Sequence, residues 1–243
     1  MNVTYLRYEI LRVLRNRRVL IFSVLLPSIL LLVIGTPNKH EAYNGTTAAA
    51  YIMVSMGIFG ALSSATGTAG SIAVERSAGG TRRLRLTPLN PLRYVISKIV
   101  LALVLVVPPL VVVYALGALA LGVHLSAAVW AQVFLGSWLS ALPFAALGLI
   151  MGYLARPDSV QQISGLLFFL LSLFGGLWVP LDQMPHLMRT VATYTPVYWS
   201  ADVARAPLFH GHLNGKAIVV LLGWAVGLGL IGISRFRADT ARA

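Results

Sequence analysis

The chain alternates between long apolar stretches and short polar segments, and six of the apolar stretches contain no Asp, Glu, Lys, Arg or His. A helix needs about 20 mainly apolar residues to cross a bilayer, and each stretch comes close to that length. The pattern therefore predicts an all-α polytopic membrane protein with six transmembrane helices. The predicted spans are residues 19–36, 47–73, 99–123, 127–154, 160–178 and 217–233.

The segment before the first span has apolar residues at helical spacing and arginines on a different face. This arrangement is typical of an amphipathic helix that lies in the headgroup region with its arginines toward anionic lipid. We predict such an N-terminal interfacial helix, although a basic flank that only sets the topology is the alternative. The apolar face comprises Leu6, Ile10, Val13 and Leu14, and the predicted membrane-surface arginines are Arg7, Arg12, Arg15 and Arg18.

The segment between the fifth and sixth spans, residues 179–215, is too apolar for a solvated loop and too interrupted by proline to cross a membrane. Its Tyr and Trp residues favour the membrane interface. We predict two short helices in the outer leaflet, partly re-entrant and packed on protein, because irregular backbone exposed to lipid is costly.

The charge of the chain is strongly basic, at +12, although only 11% of its residues are charged and 58% are hydrophobic. Fifteen of the nineteen Lys and Arg residues lie in the N-terminal segment, in the loop after the second span, at Arg156 or in the C-terminal tail. This asymmetry follows the positive-inside rule and predicts that both termini are cytoplasmic. Because the basic residues follow the topology, we expect no nucleic-acid partner.

The sequence lacks the residues that are typical of nucleotide-binding proteins, ion-coupled carriers and membrane enzymes. A P-loop requires G-x-x-x-x-G-K-[ST], whereas the single Gly-Lys pair, Gly215 and Lys216, is followed by Ala217. Ion-coupled carriers usually hold an ionisable residue within the membrane, and the six predicted spans contain none. Glu75 and Asp158 are isolated acids, so we predict no catalytic residues and no enzyme activity in this chain.

A metal site is not predicted either. His186, His210 and His212 lie in the same outer segment with Asp182 as the main acidic candidate for a fourth ligand, but their spacing gives no evident ligand geometry. The chain contains no Cys, so no disulfide holds its loops.

A transporter without a nucleotide site or an ion relay must take its energy from another chain. It then needs a cytoplasmic surface on which that chain can act, and residues 74–98 form the main predicted surface of this kind. Thr81 can cap a short helix that runs to Leu86, and Pro88 ends it. An inert basic loop is the alternative. Glu75 argues against that alternative, because an acid at the membrane face contributes nothing to positive-inside orientation.

Two stretches of the sequence resemble a known family. ERSAGGTRRLRLTPLNP is similar to the loop signature of ABC-2 type permeases, and VPLDQMPHLMRTVATYTPVYWSADVARA resembles the segment before their last span. The resemblance implies one transmembrane domain over residues 1–243. Within it, residues 1–18 would be the connecting helix, residues 75–98 the cytoplasmic coupling loop and residues 179–215 the extracellular re-entrant segment.

The same resemblance implies the permease subunit of an ATP-driven exporter in the cytoplasmic membrane of a bacterium. Two copies of a separate ATPase would bind ATP and Mg²⁺, and a second permease, identical or paralogous, would complete a dimer. The short outer loops are most similar to the drug-exporting branch of the daunorubicin-resistance kind, so a hydrophobic or amphipathic substrate is expected. The implied coupling residues are Glu75, Arg76, Gly80, Thr81, Arg82, Arg83, Leu84 and Leu86. The candidate lining residues of the substrate route are Ser64, Gly67, Phe168, Phe169 and Phe174.

Two other functions stay open. An ion-coupled carrier or channel without an ATPase would need no coupling helix, and an assembly or immunity protein would transport nothing. For the lining residues, ordinary helix packing is the alternative to a substrate route.

Overall fold

The computed structural model describes residues 17–77, 91–210 and 212–242, with side chains for residues 23–77, 94–209 and 212–236. This part of the chain is almost wholly helical. Its helices are α1 (Arg17–Gly35), α2 (Ala48–Ser77), α3 (Pro91–Leu119), α4 (Ala127–Leu139), α5 (Leu142–Leu154), α6 (Val160–Phe174), α7 (His186–Ala192), α8 (Pro196–His210) and α9 (Gly215–Arg242). A short hairpin of β1 (Ala42–Tyr43) and β2 (Thr46–Thr47) and a 3-10 turn (Leu181–Gln183) complete it.

Helices coincide with all six predicted apolar stretches. Four are long and apolar enough to cross a membrane: Ala48–Ser77, Tyr94–Leu119, Ala127–Leu154 and Gly215–Phe236. The fifth stretch holds a shorter apolar helix, Val160–Phe174. The first stretch coincides with α1, whose 19 residues run from Arg17 to Gly35. The structure therefore confirms a mostly helical chain with four candidate membrane spans among the described residues, which is consistent with the predicted all-α membrane protein. The N-terminal interfacial helix lies outside the described residues, apart from the start of α1.

The fourth predicted span is one apolar stretch but two helices, because α4 ends at Leu139 and α5 begins at Leu142. Pro143 has no N–H to continue the hydrogen bonds of the preceding helix. The Ser140 hydroxyl lies 2.7 Å from the Gly136 carbonyl oxygen and 3.0 Å from that of Ser200, so it connects the junction to α8. Hydropathy alone does not show such a break.

Charged ends extend the second and third spans beyond their apolar limits. α2 continues through Glu75 and Arg76 to Ser77, and α3 already begins at Pro91, so both helices enter the predicted loop at 75–98. Glu75 and Arg76 follow Val74 and are charged, so the apolar pattern ends there although the helix continues. Residues 78–90 lie outside the described part.

Helix α2 is the centre of the molecule, with 83% of its most apolar window buried. It packs against α1, α3, α4, α5, α6 and α8. Close packing requires small residues, and Gly60 shows why. A Cβ at Gly60 would lie 3.0 Å from Pro109 Cβ of α3 and 3.1 Å from Pro27 Cγ of α1.

Two glycine pairs at the same four-residue spacing have different surroundings. In α5, a Cβ at Gly148 would lie 3.0 Å from the Ala65 carbonyl oxygen, and one at Gly152 would lie 3.0 Å from that of Ala69. These glycines therefore let α5 contact the backbone of α2. In α9, a Cβ at Gly223 or Gly227 would meet no atom within 4 Å.

The hairpin places aromatic side chains over the start of α2. Its turn residues Asn44 and Gly45 have φ of 48° and 86°, the backbone region that two-residue hairpin turns require and that Asn-Gly favours. The Tyr43 ring lies 4.6 Å from the ring of Tyr51 in α2, measured between centroids.

A Gly148→Leu substitution is expected to lower the free energy of unfolding by about 1–3 kcal/mol, since the backbone of α2 cannot move aside as a side chain can. Thermal unfolding of the purified chain in mild detergent measures this change. Gly227→Leu is the matched control and should leave the melting temperature nearly unchanged. Equal destabilisation by the two substitutions would contradict the assignment of Gly148 to the α2–α5 contact.

Candidate functional site

Glu75, the first predicted coupling residue, lies in the last turn of α2 and pairs within the chain. Its Oε2 atom is 2.6 Å from Nζ of Lys98 in α3, and the Lys98 side chain is only 2% exposed whereas that of Glu75 is 24% exposed. The Lys98 ammonium also lies 5.2 Å from the centre of the Tyr94 ring. A buried ammonium needs such partners, because an unpaired buried charge is strongly destabilising.

Arg76 makes a second connection from the same turn. Its guanidinium donates to the carbonyl oxygens of Tyr153 and Ala155, where α5 ends. The last carbonyl groups of a helix have no partner within that helix and carry partial negative charge, so a cation there is favourable. Glu75, Arg76, Lys98 and Tyr94 form what we call the Glu75 cluster, which joins α2 to α3 and α5 at one end of the molecule.

The other predicted coupling residues, Gly80, Thr81, Arg82, Arg83, Leu84 and Leu86, lie outside the described residues. So do the surface arginines Arg7, Arg12 and Arg15, and Arg18 lies in the first turn of α1 without a described side chain. Sequence reasoning counted Lys98 only as a basic loop residue and missed its pairing with Glu75. The available signal was an isolated Lys next to the apolar residues that begin the third span.

The predicted lining residues differ in how deeply they are buried. Ser64 in α2 and Phe168 in α6 are buried, at 2% and 5% exposure, whereas Phe169 is 46% exposed. Gly67 and Phe174 are partly buried. The hydroxyls of Ser64 and of Ser164 in α6 are both buried without a hydrogen-bond partner among the described residues, although α2 and α6 pack together. Each of these two helices therefore carries a buried hydroxyl that no described residue satisfies.

An aromatic series connects this contact to a cavity. The Phe59 ring lies 5.1 Å from that of Phe168 and 5.2 Å from that of Trp178, between centroids. Trp178 lines a cavity of about 330 Å³ at the start of α2, which we call cavity A. Its other walls include Tyr51, Ser55 and Leu177. A second cavity of about 250 Å³, cavity B, shares Tyr43 and Tyr51 with it and is also lined by Arg205.

Arg205 of α8 is buried between these elements, with 6% exposure. Its NH2 group donates to the Ser55 hydroxyl at 2.7 Å and to the Gly176 carbonyl at 2.9 Å. Its guanidinium carbon lies 4.2 Å from the centre of the Tyr51 ring. These four residues form the Arg205 cluster, which joins α8 to α2 and to the turn after α6.

Sequence reasoning missed this cluster, because it treated Arg205 as one of four basic residues on the outer side. The available signal was the local sequence: Arg205 stands between Ala204 and Ala206, followed by Pro207 and Leu208. Small and apolar neighbours on a helix indicate a buried face.

The hairpin side of cavity B is held by a hydrogen bond from the Tyr43 hydroxyl to Oδ1 of Asp182, at 3.3 Å. Burial, and then the charges of Tyr51 and Asp182, raise the pKa of Tyr43 above its usual value. Tyr43 is therefore neutral at physiological pH and donates its proton to the Asp182 carboxylate.

Comparison with known proteins finds one family match and a similar curated protein. A model of the ABC-2 type transporter family matches residues 2–209, which include both clusters. The chain is also 29% identical over 217 residues to a Bacillus subtilis (strain 168) protein named "Putative transport permease YvfS". The similarity covers 89% of each of the two chains.

Replacing Glu75 by Ala is expected to lower the free energy of unfolding by about 3 kcal/mol, because it leaves the Lys98 charge buried without its carboxylate. The double variant Glu75→Ala/Lys98→Met removes both charges and should regain most of that loss. Thermal unfolding of the purified variants measures the difference, with Arg156→Ala, an exposed cation, as a control that changes little. A double variant as unstable as the sum of the two single variants would contradict the pairing.

Proposed function

We propose that this chain, which belongs to the ABC-2 type transporter family, is the membrane subunit of an exporter driven by ATP hydrolysis in a separate subunit. The observation that carries the proposal is the Glu75 cluster. It ties α2 to α3 and α5 directly beside the basic segment 78–90. A force applied to that segment therefore acts on three helices together.

Membership of a permease family assigns the chain to transport rather than to catalysis, and its long apolar helices make it a multi-pass membrane protein. Energy must then come from elsewhere. In our proposal, two copies of a soluble ATPase bind ATP and Mg²⁺ and dock on residues 75–86. Thr81, Arg83 and Leu86 supply contacts to the ATPase, whereas Glu75 and Arg76 carry the displacement into the bundle.

The proposed substrate route follows α2 and α6. Phe168 of α6 meets Phe59 of α2, and the aromatic series through Phe59 leads from there to cavity A. Ser64 and Ser164 add one buried hydroxyl to each of the two helices. Aromatic walls with a few hydroxyls suit a hydrophobic or amphipathic substrate. A second permease, identical or paralogous, would complete the route from the other side.

The proposed topology has six spans and both termini in the cytoplasm of a bacterial cell. The first span, α1, has 19 residues and is close to the length that a bilayer requires. The shorter α6, with 15 residues, crosses as well, since a bilayer can thin locally around a short span. The Glu75 cluster then lies at the cytoplasmic face, and the hairpin, α7 and α8 lie at the outer face as short, partly re-entrant elements. This orientation follows the positive-inside distribution of Lys and Arg.

An ion-coupled carrier is the second candidate, and the structure gives it one supporting observation. Lys98 and Arg205 are buried cations in a chain whose apolar stretches predicted no charge within the bundle. Buried ionisable residues are typical of ion or proton pathways. Since both cations are hydrogen-bonded at the ends of α2 and not at its middle, they fit structural anchoring better than an ion pathway.

Purification of the chain from its native membranes in mild detergent should recover a soluble protein with a P-loop in stoichiometric amounts, identified by mass spectrometry. The same sample shows whether a second permease is present. If the chain is recovered alone and moves substrate in liposomes without ATP, the exporter proposal is wrong and the carrier is favoured.

The absence of Cys from the chain permits a sharper version of this experiment. A single Cys at Thr81 or Leu86 should cross-link to the co-expressed ATPase and react with a thiol reagent only from the cytoplasmic side. A single Cys at Leu187, which is 75% exposed on α7, should form no cross-link and react from the outside. Reversal of the two accessibilities would refute the proposed topology.

A further inference from the structure

The Arg205 cluster holds three separate elements with one side chain. The NH2 group of Arg205 bonds Ser55 of α2 and the carbonyl of Gly176, and the guanidinium carbon lies 4.2 Å from the centre of the Tyr51 ring. The Ser55 hydroxyl is itself fixed as an acceptor, because it donates its proton to the Tyr51 carbonyl at 2.6 Å. Gly176 has a φ of +75°, which a side-chain-bearing residue adopts at a cost.

The cluster is incompletely satisfied. The Nε atom of Arg205 is buried and has no hydrogen-bond partner among the described residues. An unsatisfied buried donor is unfavourable, more so on a charged group. The guanidinium therefore gains from its contacts to Ser55, Gly176 and Tyr51 but loses at Nε, which leaves the closed arrangement only moderately favoured over an open one.

The two clusters share a helix. Ser55 and Glu75 are 20 positions apart in α2, which contains no break between them, so the two anchoring points are about 30 Å apart. A helix buried on most sides moves as a unit between packed neighbours. Displacement at the Glu75 end is then felt at the contact between α2 and Arg205.

We propose that Arg205 is a positioning residue that holds the Ser55 end of α2 closed against α8 and the turn at Gly176, and that this contact must open in each transport cycle. Opening separates the wall that cavities A and B share and exposes the aromatic series behind it. The transport step rests on the function proposed above, whereas the closed contact itself does not. The guanidinium suits this role, because its NH2 group bonds both acceptors while its planar, weakly hydrated body lies near the Tyr51 ring. The compact, strongly hydrated ammonium of Lys matches that arrangement less well.

The test measures the reactivity of a thiol behind the contact in the full chain. Leu177 is 2% exposed, follows Gly176 and lines cavity A, so a single Leu177→Cys variant should react slowly with a membrane-impermeant methanethiosulfonate. Adding Arg205→Met should accelerate the reaction about tenfold or more, and Ser55→Ala by a smaller factor. Arg156→Met, which removes an exposed arginine outside both cavities, should leave the rate unchanged. Arg205→Met should likewise leave the labelling of an exposed Leu187→Cys unchanged.

A second arm separates this proposal from the proposed function. With the ATPase present, ATP should accelerate labelling of Cys at 177 in the parent background and have no further effect with Arg205→Met. If ATP has no effect in either background but Arg205→Met still opens the site, the closed contact is supported and ATP-driven coupling is not.

Two results would overturn the role of Arg205. One is a labelling rate at position 177 that does not change with Arg205→Met in protein that remains folded. The other result applies if Arg205→Met does not fold. It is that Cys at position 177 is labelled at the parent rate in both the Arg205→Lys and the Ser55→Ala variant. A purely structural Arg205 would lower the melting temperature without making the labelling independent of ATP.

Discussion

The close packing of α2 among six other helices is the constraint on which the rest of the structure depends. A helix surrounded in this way cannot carry large side chains on all faces, and lipid offers no hydrophobic force to press helices together. Gly60 admits Pro27 and Pro109, and the backbone near Ala65 and Ala69 is met by glycines of α5. Small residues on both partners therefore determine how near the helices come, and dispersion contacts at that distance hold them.

Close packing alone does not fix the rotation and register of α2. Charged contacts at its two ends do. Between Ser55 and Glu75 the helix presents only apolar, hydroxyl and glycine residues, so it could slide or turn against its neighbours at modest cost. Glu75 at one end and Ser55 at the other meet the buried cations Lys98 and Arg205 in a single geometry. Because an unpaired buried charge is costly, each displaced arrangement of α2 loses one of these pairings.

The apolar stretches were sufficient to predict where helices form, since burial in lipid and helical hydrogen bonding act along the chain. They could not predict contacts between distant segments. Gly148 and Gly223 begin identical four-residue glycine pairs, yet only the first is packed against another helix. Likewise, Lys98 and Arg205 were interpreted from the sequence only as charges that set the membrane orientation. Their burial depends on partners that are 23 and at least 29 positions away. The family signature singled out Glu75 as a coupling residue, but it did not show that Glu75 pairs inside its own chain.

That pairing changes how a coupling segment would work. If Glu75 contacted an ATPase directly, its carboxylate would have to leave Lys98, and a buried ammonium would lose its counter-charge on every cycle. With the pair kept, Glu75 and Lys98, which flank residues 78–90 in the sequence, stay joined, and Arg76 adds the end of α5. A partner that displaces the segment then moves α2, α3 and α5 as one body and leaves no charge unpaired. The contact to Arg205, about 30 Å along α2, is the place where such a body must separate from α8.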